Sequence, residues 1–451
     1  GGKIELVGSN VTNSGQLQAD GTGAHSAGGQ ITVAGDTVTL AANSQTSATG
    51  EVGGGTIEVG TKAANAANEE PAILAQSVSI ETGAKVDASA ITAGNGGDIK
   101  VASQQATVIN GELKAEGGSQ SGNGGHIQTT SKQTVEMGAA LKVDVAAPAG
   151  NPGNWNVAAG QINVDQTAAQ AISQTLAQGN VTMAAITCVD CAQTQTGNLQ
   201  IASDAAITKT AGALTTLTLF ANGDISQQGT IANYLNIPLA VVMNANNINV
   251  QVSGRVTATT ATMSAINTIN LFGSVIGQGQ SAFINLLADV VNLFGMMNVS
   301  NQNGLGGSVR VQAKNINLRS GSKIEADGEE GGSVYLLADN QVNLQTALVQ
   351  TNGSNGRGGT IGISGVNQTL IAATTLSSQG TLKGGHIMIG NDATNSTLPF
   401  SAYVSLDTLT AINTQATLAN GAGGMIETSG HILDQLASIN AGRGGIWLID
   451  P

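Results

Sequence analysis

Apolar and polar residues alternate along this chain in short bursts, without helical spacing. Between Gly306 and Gly328 the bursts are Val309 with Val311, Ile316 with Leu318, and Ile324 with Ala326, separated by Gly, Asn, Ser or a charge. Each burst is too short for a helix, and a period of two puts one face in a core and the other in water. The pattern predicts three short strands joined by two turns. The unit restarts at Gly331-Gly332-Ser333-Val334-Tyr335-Leu336. One such unit cannot bury its own apolar face, so it must stack on copies of itself.

The copies are visible along the chain. Gly-Gly-x-apolar begins at Gly1, Gly28, Gly54, Gly96, Gly124, Gly306, Gly331, Gly358, Gly384, Gly423 and Gly444. Val38-Thr39-Leu40, Val78-Ser79-Ile80 and Val342-Asn343-Leu344 repeat the second strand, and Lys85-Val86-Asp87-Ala88 repeats the third. Gly recurs because tight corners require either φ > 0 or the absence of a side chain. From about 138 to 304 the Gly-Gly mark is missing, yet Gly160-Gln161-Ile162-Asn163-Val164 and Gly179-Asn180-Val181-Thr182-Met183 keep Gly before an alternating strand. Ile269-Asn270-Leu271-Phe272-Gly273 and Val291-Asn292-Leu293-Phe294-Gly295 repeat each other there. Phe220, Phe272, Phe283 and Phe294 also fall in this stretch and suggest a thicker or irregular part of the stack. Three sections follow: regular repeats over 1–137, an irregular and more apolar section over 138–304, and regular repeats again over 305–451. The one helix candidate, Thr167 to Gln178, with Ala168, Ile172 and Leu176 on one face, reads as strand and loop in this setting.

Stacked three-strand units of this size make an all-β solenoid, a parallel β-helix. Crossovers between parallel strands favour the right-handed form. Rungs of ~22 residues rising ~4.8 Å each predict a single elongated rod roughly 100 Å long. Asn, Val and Ile ladders should stack between rungs. Neither end shows an amphipathic capping helix, so the expectation is a segment of a longer rod, or one that stacks end to end as a homo-oligomer.

Composition suits a narrow interior. Gly is very frequent at 62 of 451 residues, aromatics are 2% and charged residues 10%, so the core must be built from Val, Ile, Leu and Ala. A net charge of −13 argues against nucleic acid, which requires a basic stripe. Ile237-Pro238-Leu239-Ala240-Val241-Val242-Met243 is too short to span a membrane and contains Pro. No signal peptide opens the chain at Gly1, so any targeting segment is expected to have been removed or to lie outside this sequence.

The motif style resembles a known family. Gly-Gly-x-Ile-x-Val with Val-x-Leu and Ser-x-Ile-x-Ala-x-Gly resembles the haemagglutinin repeats of filamentous haemagglutinin-like exoproteins, the secreted adhesins of two-partner secretion systems. Gly197-Asn198-Leu199-Gln200-Ile201 through Gly223-Asp224-Ile225 is similar to that family's Gly-Asn-Leu … Leu-Thr-Leu-x-Ala … Gly-x-Ile blocks. Gly444-Gly445-Ile446-Trp447-Leu448-Ile449-Asp450-Pro451 is similar to its Gly-Gly-Thr-Trp-Leu-Leu-Asp-Pro block. The resemblance covers most of the chain. It implies a right-handed β-helix exported by an outer-membrane β-barrel transporter to the surface of a Gram-negative cell, serving attachment, aggregation or biofilm. The implied partners are that transporter and a host-cell or matrix receptor (protein or glycan) or other copies of the chain. Asn151-Pro152-Gly153-Asn154 is not the family's Asn-Pro-Asn-Gly secretion element, so no secretion domain is assigned.

β-Helices also host polysaccharide lyases and glycosidases, so the fold alone does not decide the chemistry. A glycosidase needs two carboxylates facing one ring. Glu325, Asp327, Glu329 and Glu330 share a turn and read as a solvated corner, while Asp87, Asp98 and Lys100 read as isolated along their strands. His126 and His386 fill the outward x of Gly-Gly-x-Ile; His25 and His431 complete the histidines. No catalytic, cofactor or metal residue is assigned, and the expectation is a non-enzymatic chain without cofactor. Cys188 and Cys191 read as a local disulfide across a turn or a stray reduced pair. Asn10, Asn180, Asn298, Asn352, Asn367 and Asn395 lie in glycosylation sequons. Trp447 is expected to pack inside its strand. Two other roles compete with the adhesin stalk: a carbohydrate-active β-helix enzyme, and a self-assembling filament subunit or the stalk of a contact-dependent toxin.

Overall fold

The inward residues of each repeat stack on those of the next. Val309 stands in register with Ile284 on one side and Val334 on the other, and Ile316 with Val291 and Val342. The computed structural model describes residues 1–61, 75–189, 191, 194–393 and 398–450. It is a parallel β-helix, and it divides into two units, Gly1–Ile225 and Ser226–Pro451.

In the first unit one face is built from Lys3–Val7, Gln30–Ala34, Thr56–Val59, Asp98–Ile109, His126–Ser131, Asn154–Ala159 and Asn180–Ala185, each parallel to its neighbour. A third face is the run Gln16–Gln18, Gln45–Ser47, Lys85–Asp87, Glu112–Lys114 and Lys142–Asp144. In the second unit Leu239–Val250, Thr260–Leu271, Phe283–Leu293, Ser308–Leu318 and Ser333–Gln345 pair in the same way. Rungs differ in length: Ala240 pairs with Thr260, but His386 pairs with Met425.

The repeat unit differs from expectation at one junction. Val309, Val311, Ile316 and Leu318 belong to one continuous strand, Ser308–Leu318, and only Lys323–Glu325 is separate. The first junction is therefore a bend within a strand. The pairing register slips there, between Ala313 and Asn315, as it does between Ser264 and Thr268 in another rung. An extra residue in one strand bends the ladder without ending it.

The Gly pairs answer a question of room. A Cβ on Gly331 would overlap the carbonyl of Thr351, and one on Gly332 the carbonyl of Gly307. The Gly332 and Gly359 amides instead donate back to the carbonyls of Ala326 and Thr351, both at 2.7 Å, closing the rung.

The core is Ile, Val, Leu, Ala and some Met, and each fully buried Ile, Val or Leu contributes about 1.5–3 kcal/mol. Asn ladders run outside it: Asn270 donates to Asn249 at 2.8 Å, and Asn292 to Asn270 and Asn317 to Asn292, both at 2.9 Å. Trp155 occupies a slot that other rungs give to Ile, and its indole N–H donates to the buried Thr129 hydroxyl at 3.1 Å.

Three expectations are corrected. Gln166–Leu176 is an α-helix. It stands where neighbouring rungs carry their third strand, and it packs on Lys142–Asp144 and Ala206–Lys209. Asp165 caps it by accepting from the Ala168 amide at 2.9 Å, and Ala168, Ala169, Ile172 and Leu176 are buried. An Ala-rich run without Gly or Pro gains more from intrahelical bonds than from one more ladder position. The phenylalanines do not thicken the core. Phe272 and Phe294 follow the last inward residues, Leu271 and Leu293, so alternation turns them outward, where their rings stack at 4.6 Å. Trp447 is not enclosed: it is 43% exposed on Ile446–Asp450, a strand paired on one side with Met425–Ser429. Its N–H reaches the Thr428 hydroxyl at 3.1 Å, repeating the Trp155 device.

Candidate functional site

In the second unit the bends of successive strands line up. The corner residues are small: Ala288, Ala313, Ala338 and Gly365 stand in register, and all four are buried. The outward neighbours on each side rise as walls. The result is an open groove of about 940 Å³ running across the strands. Leu287, Gln312 and Leu337 form one wall, in register. Asp289, Lys314 and Asp339, which directly follow the alanines in sequence, form the other. Ile266 and Leu287 are 69% and 51% exposed.

One end of the groove is bordered by Pro399, from a loop inserted at the same corner of its rung. The loop leaves after His386–Ile389, and the Ser401 amide closes it on the Gly390 carbonyl at 2.8 Å. Its Pro399 carbonyl accepts from the Ser364 hydroxyl at 2.6 Å, and Leu398 and the Tyr335 ring fill the room left by the missing side chain of Gly362. Its far end meets Glu427, whose carboxylate accepts from the Ala393 amide at 3.0 Å and the Ser429 hydroxyl at 3.0 Å.

This loop corrects the reading of His386 as a solvated outward residue. The outward column here runs under the loop, so His386 is half-buried, Asp392 is 4% exposed and Glu427 is fully buried. Burial pulls the His386 imidazole below its ordinary pKa, with Asp392 pulling the other way. Burial pushes the Glu427 carboxyl up, and Asp392 and Asp450 add to it, against the hydrogen bonds from Ala393 and Ser429. Tyr335 is raised by burial and by Asp392. Among the described residues, no group of three His, Cys, Asp or Glu side chains is placed to hold a metal ion.

The first unit carries a charged face. Register places Asp87, Lys114 and Asp144 in one column and Lys85, Glu112 and Lys142 in another, so the reading of Asp87 as isolated is corrected. Signs alternate down both columns. Lys114 pairs with Glu116 at 2.9 Å. Burial raises the Glu116 carboxyl, and a hydrogen bond with Asp144 raises it further, against Lys114. Lys100 pairs with Glu58 at 3.6 Å, and Asp98 stands beside His126 in register.

The other candidates are held in ladders or exposed. Glu325 accepts from Asn298 at 2.8 Å, Asp327 accepts from Gln350 and from the Asn352 amide, and Glu329 and Glu330 are exposed. His25, His126 and His431 are exposed, with Phe400 edge-on to His431 at 4.5 Å. Cys188 and Cys191 form a disulfide in a segment whose Cys188 and Gln195 backbones pair. Among the sequons, Asn10 is exposed, the carboxamides of Asn180, Asn298 and Asn352 are engaged, Asn367 donates to Asn340, and Asn395 lies outside the described residues. Pro451 of the terminal block also lies outside them.

Nothing in the sequence pattern marks Lys209. It is fully buried, and its ammonium donates to the Leu176 carbonyl at the helix end at 2.6 Å. Burial holds it down to about 8. The signal that could have found it is the helix itself, whose last carbonyls call for a donor.

No family model matches the chain, and no curated protein matches it. A solved structure, the secretion domain of HMW1 from Haemophilus influenzae, is similar over 93% of this chain and 94% of that one, at 15% identity and a TM-score of 0.39.

Proposed function

We propose that this chain is part of a secreted adhesin of the filamentous haemagglutinin-like kind, a non-enzymatic β-helix that presents repeated outward surface to cells, matrix or other copies of itself. The observation that carries the reading is the repeat: stacked parallel rungs devote their inward residues to the core and their outward residues to continuous polar columns. The haemagglutinin-type motifs supply the rest, namely export by an outer-membrane β-barrel transporter and display on a Gram-negative surface. A stiff scaffold of this kind acts through length and repetition.

Beads coated with the purified chain are expected to bind epithelial cells or extracellular matrix. Incubation with pectin, alginate and glycosaminoglycans is expected to release no unsaturated products or reducing ends. Product that disappears on substituting Glu116 or Asp144 would overturn the reading in favour of an enzyme. Beads that bind no cell or matrix, and do not self-associate, would remove the adhesin.

A further inference from the structure

The groove at the strand bends of the second unit has a chemistry of its own. From the rung of Ile266 to that of Asn367 it crosses four rung spacings, or ~19 Å. Its charges cancel: Lys314 stands between Asp289 and Asp339 along one wall, and Arg310 supplies the second cation. A polyanion would need a basic stripe and a polycation an acidic one, and neither is present. Leu287 and Ile266 nevertheless leave apolar surface open to water in the midst of these polar groups. The groove runs across the strands, so a peptide lying in it would find no free strand edge to add to.

We propose that this groove binds a neutral oligosaccharide laid along the solenoid axis. Sugar hydroxyls both donate and accept, which matches a wall of Asp acceptors, a Lys donor and the carboxamide of Gln312. The C–H faces of the rings match Leu287 and Ile266. The alanine floor gives depth without bulk, and the Pro399 loop closes one end on a rigid scaffold, where binding residues are commonly carried. The proposal names the partner class of the adhesin reading and rests on that reading for its purpose, but its test is separate.

The intact chain is titrated with neutral oligosaccharides, with sialylated and sulfated ones, and with unrelated peptides, by calorimetry and saturation-transfer NMR. Neutral oligosaccharides are expected to bind. Leu287→Asp and Lys314→Ala, at exposed positions, are each expected to weaken that binding about tenfold or more while the circular dichroism is unchanged. Lys323→Ala, outside the groove, is expected to leave it as it was. Preference for acidic glycans or peptides, binding of none, or neutral binding indifferent to both groove variants would overturn the inference. Cell adhesion that persists without neutral-glycan binding sinks the groove and leaves the adhesin standing. Neutral-glycan binding without adhesion does the reverse.

Discussion

Lys209 shows how one residue can act against its fold. Burial holds its ammonium down to about 8, against 10.5 in the unfolded chain. Between those values the unfolded chain binds more protons, so stability should rise with pH through that window, by about 3 kcal/mol at most from this group. Below pH 8 the cost is present in full. Lys209→Met should raise stability at pH 7 by about 1–3 kcal/mol and flatten the rise toward pH 10, because Thr215 still donates to the Leu176 carbonyl at 2.8 Å. Urea unfolding at the two pH values reads this directly, and a less stable variant at pH 7 would show that the ammonium is needed. Ala373 is the second such residue. Its φ is 48°, at a turn where Gly321 has φ 85° in an equivalent place. A left-handed non-glycine residue costs ~1–2 kcal/mol, and glycine's added unfolded-state freedom returns part of that. Ala373→Gly should therefore raise the melting temperature slightly, with a gain of up to about 1 kcal/mol.

At the scale of elements, the helix Gln166–Leu176 replaces a strand in its rung. Its stability depends on the Asp165 cap and on a buried face with no charged residue in its first or last turn. Asp165→Ala should lower unfolding stability by about 1 kcal/mol, with the helical signal in circular dichroism falling before the strand signal on heating. Coincident loss of both would show that the helix is not an independent weak point. The bends are the other element-scale feature. Alternation alone places Val309, Val311, Ile316 and Leu318 in the core whether the strand breaks or bends between them, so it could not support the turn expected at that junction. Register slips and a column of alanines decided for the bend, and with it for the groove.

For the whole molecule, stacking makes stability local. Ile316 touches the core through Val291 and Val342 in the adjoining rungs. Ile316→Ala should cost about 2–5 kcal/mol. Hydrogen exchange should then accelerate most in the strands carrying Val291, Ile316 and Val342, and least around Val157 in the first unit, because each rung contacts only its neighbours. Uniform acceleration throughout the chain would contradict a nearest-neighbour solenoid.

The inward residues were legible in the sequence because period-two alternation is a property of the strand itself, and Ile31, Ile57, Ile99 and Ile127 follow it without help from distant residues. The Gly pairs were legible as corners, although not that carbonyl contact is what excludes a side chain there. The sites were hardly legible. Whether His386 meets water depends on a loop that returns from Gly390 to Ser401. Whether Asp87 stands alone depends on which residues share its column, and the groove depends on where bends coincide. The sequence by itself determined what faces inward and that rungs must stack, since local sterics and burial settle both. Only the tertiary structure decided which outward residues meet across rungs and which are covered, because those neighbours lie some twenty to forty residues apart in the chain.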